Sequence, residues 1–136
     1  LTCLLTAVVG EIGNNSFDHN LGNWRDVPGI LFQINIEEKQ IILADRGQGV
    51  FATIKRVRPA IKNDGEALRV AFTEMVSGRA PERRGNGLKF VKKVVERNNF
   101  RLEFYSGKSV VDISSAGMVI KDSNVIIPGT LAIIKF

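Results

Sequence analysis

Apolar positions along this chain change period several times, and each change predicts an element. Leu4, Leu5, Val8, Val9 and Ile12 recur at helical spacing, so residues from about 2 to 19 read as an amphipathic helix. Asn20, Gly22 and Asn23 close it, and Pro28-Gly29 extends the loop. Residues 30–36 alternate around Phe32, Ile34 and Ile36. Residues 40–45 follow after a polar turn, and the two runs predict a β-hairpin. From Arg46 to Arg84 the pattern breaks into a glycine-rich turn, a basic stretch and one short helix. That helix carries Leu68, Ala71, Phe72, Met75 and Val76 on residues 66–76, with Asp64 as its expected cap. Residues 88–97 predict a further helix, with Leu88, Val91, Val94 and Val95 inward and lysines outward. Residues 101–106, 109–114, 117–121 and 130–136 read as strands.

This order predicts an α+β fold, a two-layer sandwich of mostly antiparallel sheet with helices on one face. A doubly wound parallel sheet fits poorly, because strands and helices do not alternate regularly. No repeat or long linker divides the chain, so residues 1–136 are expected to form one domain.

Composition narrows the picture. The chain has 136 residues, of which 44% are apolar and 24% charged, which argues against wholesale disorder. No apolar run is long enough to span a membrane, and Leu1 to Val9 lacks the basic leader and cleavage site of a signal peptide. The single cysteine, Cys3, excludes an intrachain disulfide and fits a cytoplasmic setting. One Cys and one His make an all-protein zinc site improbable. The net charge of +5 admits a nucleic acid or a small anion as ligand. Aromatics are only 7% and mostly Phe, so base stacking is not suggested and a nucleic-acid partner is not expected.

Four segments carry candidate chemistry. Glu11, Asn15, Asp18 and His19 share one stripe of the first helix, at i, i+4, i+7 and i+8. A carboxylate beside a carboxamide oxygen can hold a hydrated magnesium ion, and a carboxylate can deprotonate water. Asp45, Gly47 and Gly49 follow an apolar strand, where an aspartate can accept from an exocyclic amine and glycines let the backbone approach a ligand. Arg83, Arg84, Gly85, Gly87 and Leu88 open a helix, whose first amides favour an anion. Gly129-Thr130 starts the last strand and offers a hydroxyl and an amide. Taken singly, each segment also fits a plain role as a wet helix face or a turn.

Taken in order, the four segments resemble the boxes of the GHKL superfamily of ATP-binding domains, which includes histidine kinases, anti-sigma-factor serine kinases, type II topoisomerases and mismatch-repair ATPases. Glu11–Asn15–Asp18–His19 resembles the N box, Asp45–Gly47–Gly49 and Gly85–Gly87–Leu88 the two glycine boxes, and Gly129–Thr130 the terminal Gly-Thr box. The resemblance implies the Bergerat α/β sandwich binding ATP with Mg2+. Asn15 would ligate the magnesium, Asp45 would read the adenine amine, Gly47 and Gly49 would shape that end of the pocket, and Thr130 would support Asp45. Gly85, Gly87 and Leu88 would cradle phosphate, and Arg84 would assist. Residues from about 50 to 84 would form a lid whose cations face phosphates. Glu11 would activate water or an acceptor hydroxyl.

Asp18 resembles the topoisomerase-like version of the N box and His19 the kinase version, so the subfamily stays open. The family normally has a helix and usually a strand before the N box, so the chain reads as a fragment or an expressed domain. No phosphoacceptor hairpin is recognised. The expected activity is that of an ATP-binding catalytic domain of a bacterial signalling kinase, acting on a separate protein partner or phosphoacceptor domain. An ATPase switch and a non-catalytic nucleotide sensor are the alternatives, and a homodimer is compatible with either. No membrane contact is expected from this segment.

Overall fold

The structure is a computed structural model. It describes residues 1–20, 29–75 and 87–136, with the side chains of 17–20 excluded. Helix α1 (Thr2–Asn20) is followed by strands β1 (Ile30–Asn35) and β2 (Gln40–Asp45). Helices α2 (Gly49–Val57), α3 (Asp64–Thr73) and α4 (Gly87–Arg97) come next, and strands β3 (Arg101–Ser114) and β4 (Gly117–Lys135) end the chain. The four strands form one antiparallel sheet in the order β1-β2-β4-β3. The fold is thus the α+β two-layer sandwich that the sequence predicts.

One face of the sheet carries the core. Ile41 and Leu43 of β2, Ala132 and Ile134 of β4, and Leu102 and Phe104 of β3 are buried there. From above, α1 contributes Leu5, Val8 and Ile12, α3 contributes Ala67, Leu68, Ala71 and Phe72, and α4 contributes Val91, Val94 and Val95. The rings of Phe72 and Phe104 meet edge to face, 5.3 Å apart and inclined by 74°, the arrangement that aromatic quadrupoles favour.

Several boundaries differ from expectation for local reasons. Residues 49–57 form a helix where a glycine turn and basic stretch are expected. Ile54 on its inner face joins the core, and that burial outweighs the weak helix propensity of Gly49, Val50 and Thr53. Helix α3 begins earlier and ends at Thr73, leaving Met75 exposed. Its cap is Asn63, whose side chain accepts from the Glu66 amide, and not Asp64, which is the first helical residue and accepts instead from the Lys108 amide. The four expected C-terminal strands are two long ones. Residues 115–116 are the turn joining them, and 107–108 and 122–129 lie inside the two strands, where register shifts near Gly107 absorb them.

In the β1–β2 hairpin, Phe32 and Ile34 pair with the buried Leu43 and Ile41. They stay 52% and 51% exposed, because β1 is the sheet edge. Among the described residues no helix is long and apolar enough to cross a membrane.

Candidate functional site

Strands β2, β3 and β4 and helices α1 to α4 converge on a cavity of about 200 Å³. Asn15 lines it from α1, Asp45 from the end of β2, Thr130 from β4, Gly49 and Thr53 from α2, and Gly87 and Leu88 from the start of α4. Ile12, Ile54, Val57 and Phe104 make the rest of the wall largely apolar. A planar apolar group with polar edges suits such a cleft.

Asp45 is its polar anchor. The residue is 8% exposed and is held on both oxygens: Oδ1 accepts from the Gly47 amide at 2.8 Å, and Oδ2 accepts from the Thr130 hydroxyl at 2.5 Å. Asp45 and Thr130 are direct cross-strand partners, so the β2–β4 register sets this contact. A carboxylate has more lone pairs than these two donors use, so it can still accept from a ligand amine.

Two glycines make the close packing here possible. A Cβ on Gly129 would lie 2.0 Å from the Asp45 carbonyl oxygen and 2.6 Å from Oδ1. Gly49 has φ +78°, and a Cβ on it would lie 2.6 Å from the Pro128 carbonyl oxygen.

At the other end, α1 meets the N-terminus of α4. A Cβ on Gly87 would collide with Glu11 Oε2 at 2.3 Å and approach Asn15 Nδ2 at 3.6 Å. The carboxylate and the carboxamide therefore sit together against the first residue of a helix, whose amide end carries partial positive charge. Asn15 faces the cavity, whereas Glu11 stands at its margin and does not line it. One or two protein oxygens suffice for magnesium that keeps waters and phosphate oxygens as its other ligands, so the donor set fits that ion. Among the described residues no group of three or more His, Cys, Asp or Glu side chains could hold a metal without such help.

The fold thus brings together Glu11, Asn15, Asp45, Gly47, Gly49, Gly87, Leu88 and Thr130. Asp18 and His19 continue the backbone of α1, and their side chains lie outside the described residues. Arg84 and Gly85 also lie outside them. Among the cations expected to face phosphates, three have local partners. Lys55 donates to the Ile61 carbonyl at 2.7 Å, Arg56 to Gln48 Oε1 at 2.7 Å, and Arg58 lies 3.5 Å from Glu74. Lys89, two residues into α4, has its pKa pushed down by burial, with Glu74 partly opposing that shift.

Sequence reading found Gly49 but missed the rest of the α2 wall, and also Ser106. The signals existed. Val50, Ile54 and Val57 stand at i, i+4 and i+7, and Ser106 interrupts the inward alternation of Leu102 and Phe104 with a polar residue.

No family model matches the chain, and no curated protein matches it. Solved structures do match. The 43K ATPase domain of Thermus thermophilus gyrase B, solved with an aminocoumarin, superposes with a TM-score of 0.58 at 19% identity. The match covers 96% of this chain and 33% of that one. The topoisomerase IV ATP-binding domain of Francisella tularensis, solved with a small-molecule inhibitor, gives a TM-score of 0.53 at 18% identity over 93% of this chain and 34% of that one. The chain therefore spans about a third of the length of these neighbours and shares their fold, the Bergerat α/β sandwich.

Proposed function

We propose that this chain binds Mg-ATP in the cavity between α1, α2, α4 and the β2–β4 strands. The observation that carries the reading is the Asp45–Thr130–Gly47 unit in a largely apolar cleft. A carboxylate with both oxygens oriented presents only acceptors, which suits the exocyclic amine of adenine and rejects the carbonyl that guanine carries there. The triphosphate would extend toward Asn15 and the start of α4, where helix amides and the dipole favour anions. Magnesium, when bound through Asn15 and the phosphates, would offset phosphate charge. The lid expected over about 50–84 overlaps α2 and α3, which are packed into the core, and its Arg79, Arg83 and Arg84 lie outside the described residues.

Glu11 is the proposed general base. It would take a proton from the attacking oxygen as that oxygen bonds to the γ-phosphorus and the bond to the β,γ-bridging oxygen breaks, releasing ADP. With water as nucleophile the product is inorganic phosphate. With an acceptor hydroxyl it is a phosphoprotein; an acceptor imidazole would attack through its unprotonated ring nitrogen and lose the proton of its other nitrogen, giving a phosphohistidine. The likeness to gyrase and topoisomerase ATPase domains supports hydrolysis as the first reaction to test. Phosphoryl transfer to a separate signalling partner, in a cytoplasmic protein, is the finer proposal.

Calorimetry with Mg-ATP, with Mg-GTP as control, tests the reading. Saturable binding of ATP in clear preference to GTP supports it, and no ATP binding by folded protein overturns it. Phosphate release and transfer of labelled phosphate to candidate acceptors then separate ATPase from kinase.

A further inference from the structure

We infer that Ser106 is a positioning residue for the nucleotide site, an inference that rests on the ATP reading above. Ser106 is 2% exposed and sits on β3, directly across from Thr130. Its hydroxyl makes two hydrogen bonds. It accepts from the Val50 amide at 3.0 Å and donates to the Gly129 carbonyl at 2.9 Å.

The first bond caps a helix from a distant strand. The opening amides of a helix have no partner within it. Helix α2 begins at Gly49, and the side chain of its N-cap residue, Gln48, makes no capping bond. Ser106, 56 positions away in sequence, supplies the acceptor that a local Ser or Asp usually provides. The second bond holds Gly129, the residue packed onto Asp45 and adjoining Thr130.

One hydroxyl therefore ties the start of the α2 wall to the strand that carries the adenine-side pair. Gly49, Val50 and Thr53 all line the cavity, so freeing the first turn of α2 would loosen that wall. Gly49 also limits how the turn can relax. Its φ of +78° places it within the left-handed region, wedged between Pro128 and Ser106. Among the described residues, the Ser106 hydroxyl is the acceptor that holds the Val50 amide. Without it the turn would sample other conformations, and ATP binding would have to reorder it.

The test compares three proteins for Mg-ATP affinity, melting temperature without ligand, and hydrogen exchange at the Val50 amide. Ser106→Ala is expected to weaken ATP binding about five- to tenfold and to speed Val50 exchange well below the melting transition, and bound ATP should restore protection. Ile113→Val, a fully buried core change on β3 seven positions from Ser106 and outside the cavity lining, serves as a stability control. It should lower the melting temperature while ATP affinity stays within about twofold. Should the alanine variant fail to fold, Ser106→Cys keeps the size and weakens both bonds, and the same comparison applies. ATP affinity of the folded Ser106 variant within twofold of the unmodified chain, with Val50 still protected, overturns the inference. If the unmodified chain itself binds no ATP, the ATP reading fails and this inference falls with it. If the Ser106 and Ile113 variants lose affinity in proportion to stability alone, Ser106 is only structural.

Discussion

Asp45 and Thr130 lie 85 positions apart in sequence and face each other across two strands, with the threonine hydroxyl donating to Oδ2 at 2.5 Å. The aspartate is thus oriented before any ligand arrives, and a preoriented acceptor loses less on binding than one that must be ordered. The arrangement also separates what Asp45 does for the fold from what it does for a ligand.

Asp45→Asn is the substitution that exploits this separation. An asparagine keeps one oxygen for the Gly47 amide, and its amide nitrogen can donate to a Thr130 hydroxyl that has rotated to accept. We expect the melting temperature without ligand to fall by only a few degrees. ATP affinity should fall about ten- to a hundredfold, because the adenine amine would then meet a donor. Calorimetry and thermal unfolding on the same samples decide it. Equal losses in both would make Asp45 structural.

Glu11→Gln keeps the shape packed against Gly87 but removes the base. Binding of Mg-ATP should stay within about threefold, while turnover should fall by on the order of 10²–10⁴. A phosphate-release assay at saturating ATP reads this directly. Undiminished turnover would assign the base elsewhere.

Glycines at two positions should respond in opposite directions to alanine. Gly129→Ala puts a methyl group against the Asp45 backbone, where no flexible neighbour can yield, and should cost about 2–4 kcal/mol in urea unfolding. Gly10 lies within α1 with nothing within 4 Å of an added Cβ. Gly10→Ala should therefore stabilise the chain by about 0.5–1 kcal/mol.

On the opposite face of the sheet, Arg101 grips Asp112 through two bonds, Nε to Oδ1 at 3.0 Å and Nη2 to Oδ2 at 2.7 Å. The Arg101 hydrogen bond holds the Asp112 pKa below its ordinary value. A carboxyl with a depressed folded pKa contributes stability above its unfolded pKa and loses it as pH falls through the folded one. Asp112→Asn should therefore destabilise the chain slightly at pH 7 and flatten the acid limb below about pH 4. The effect should stay under about 1 kcal/mol and shrink in salt, because Arg101 is half exposed. Melting curves from pH 2 to 7 in low and high salt measure it.

Much of this protein was legible in the sequence, because periodicity and capping are local. The apolar spacing of α1 and α4 matches their buried faces, since one helix side must leave water whatever it packs against. The candidate residues from Glu11 to Thr130 also stood in readable order. What the sequence could not decide was set by contacts between distant segments. Helix α2 has weak propensity and forms because Ile54 is buried and Ser106 caps its first turn from β3. The cap of α3 passed from Asp64 to Asn63 because the Lys108 amide, 44 positions on, engages the aspartate. Residues 107–108 and 122–129 look like breaks between strands, yet they lie within the β3–β4 ladder, which tolerates register shifts while pairing continues on both sides. The chain determined which residues were available for the site. Only the sheet register placed Asp45, Thr130 and Ser106 side by side, because cross-strand pairing carries no local signature.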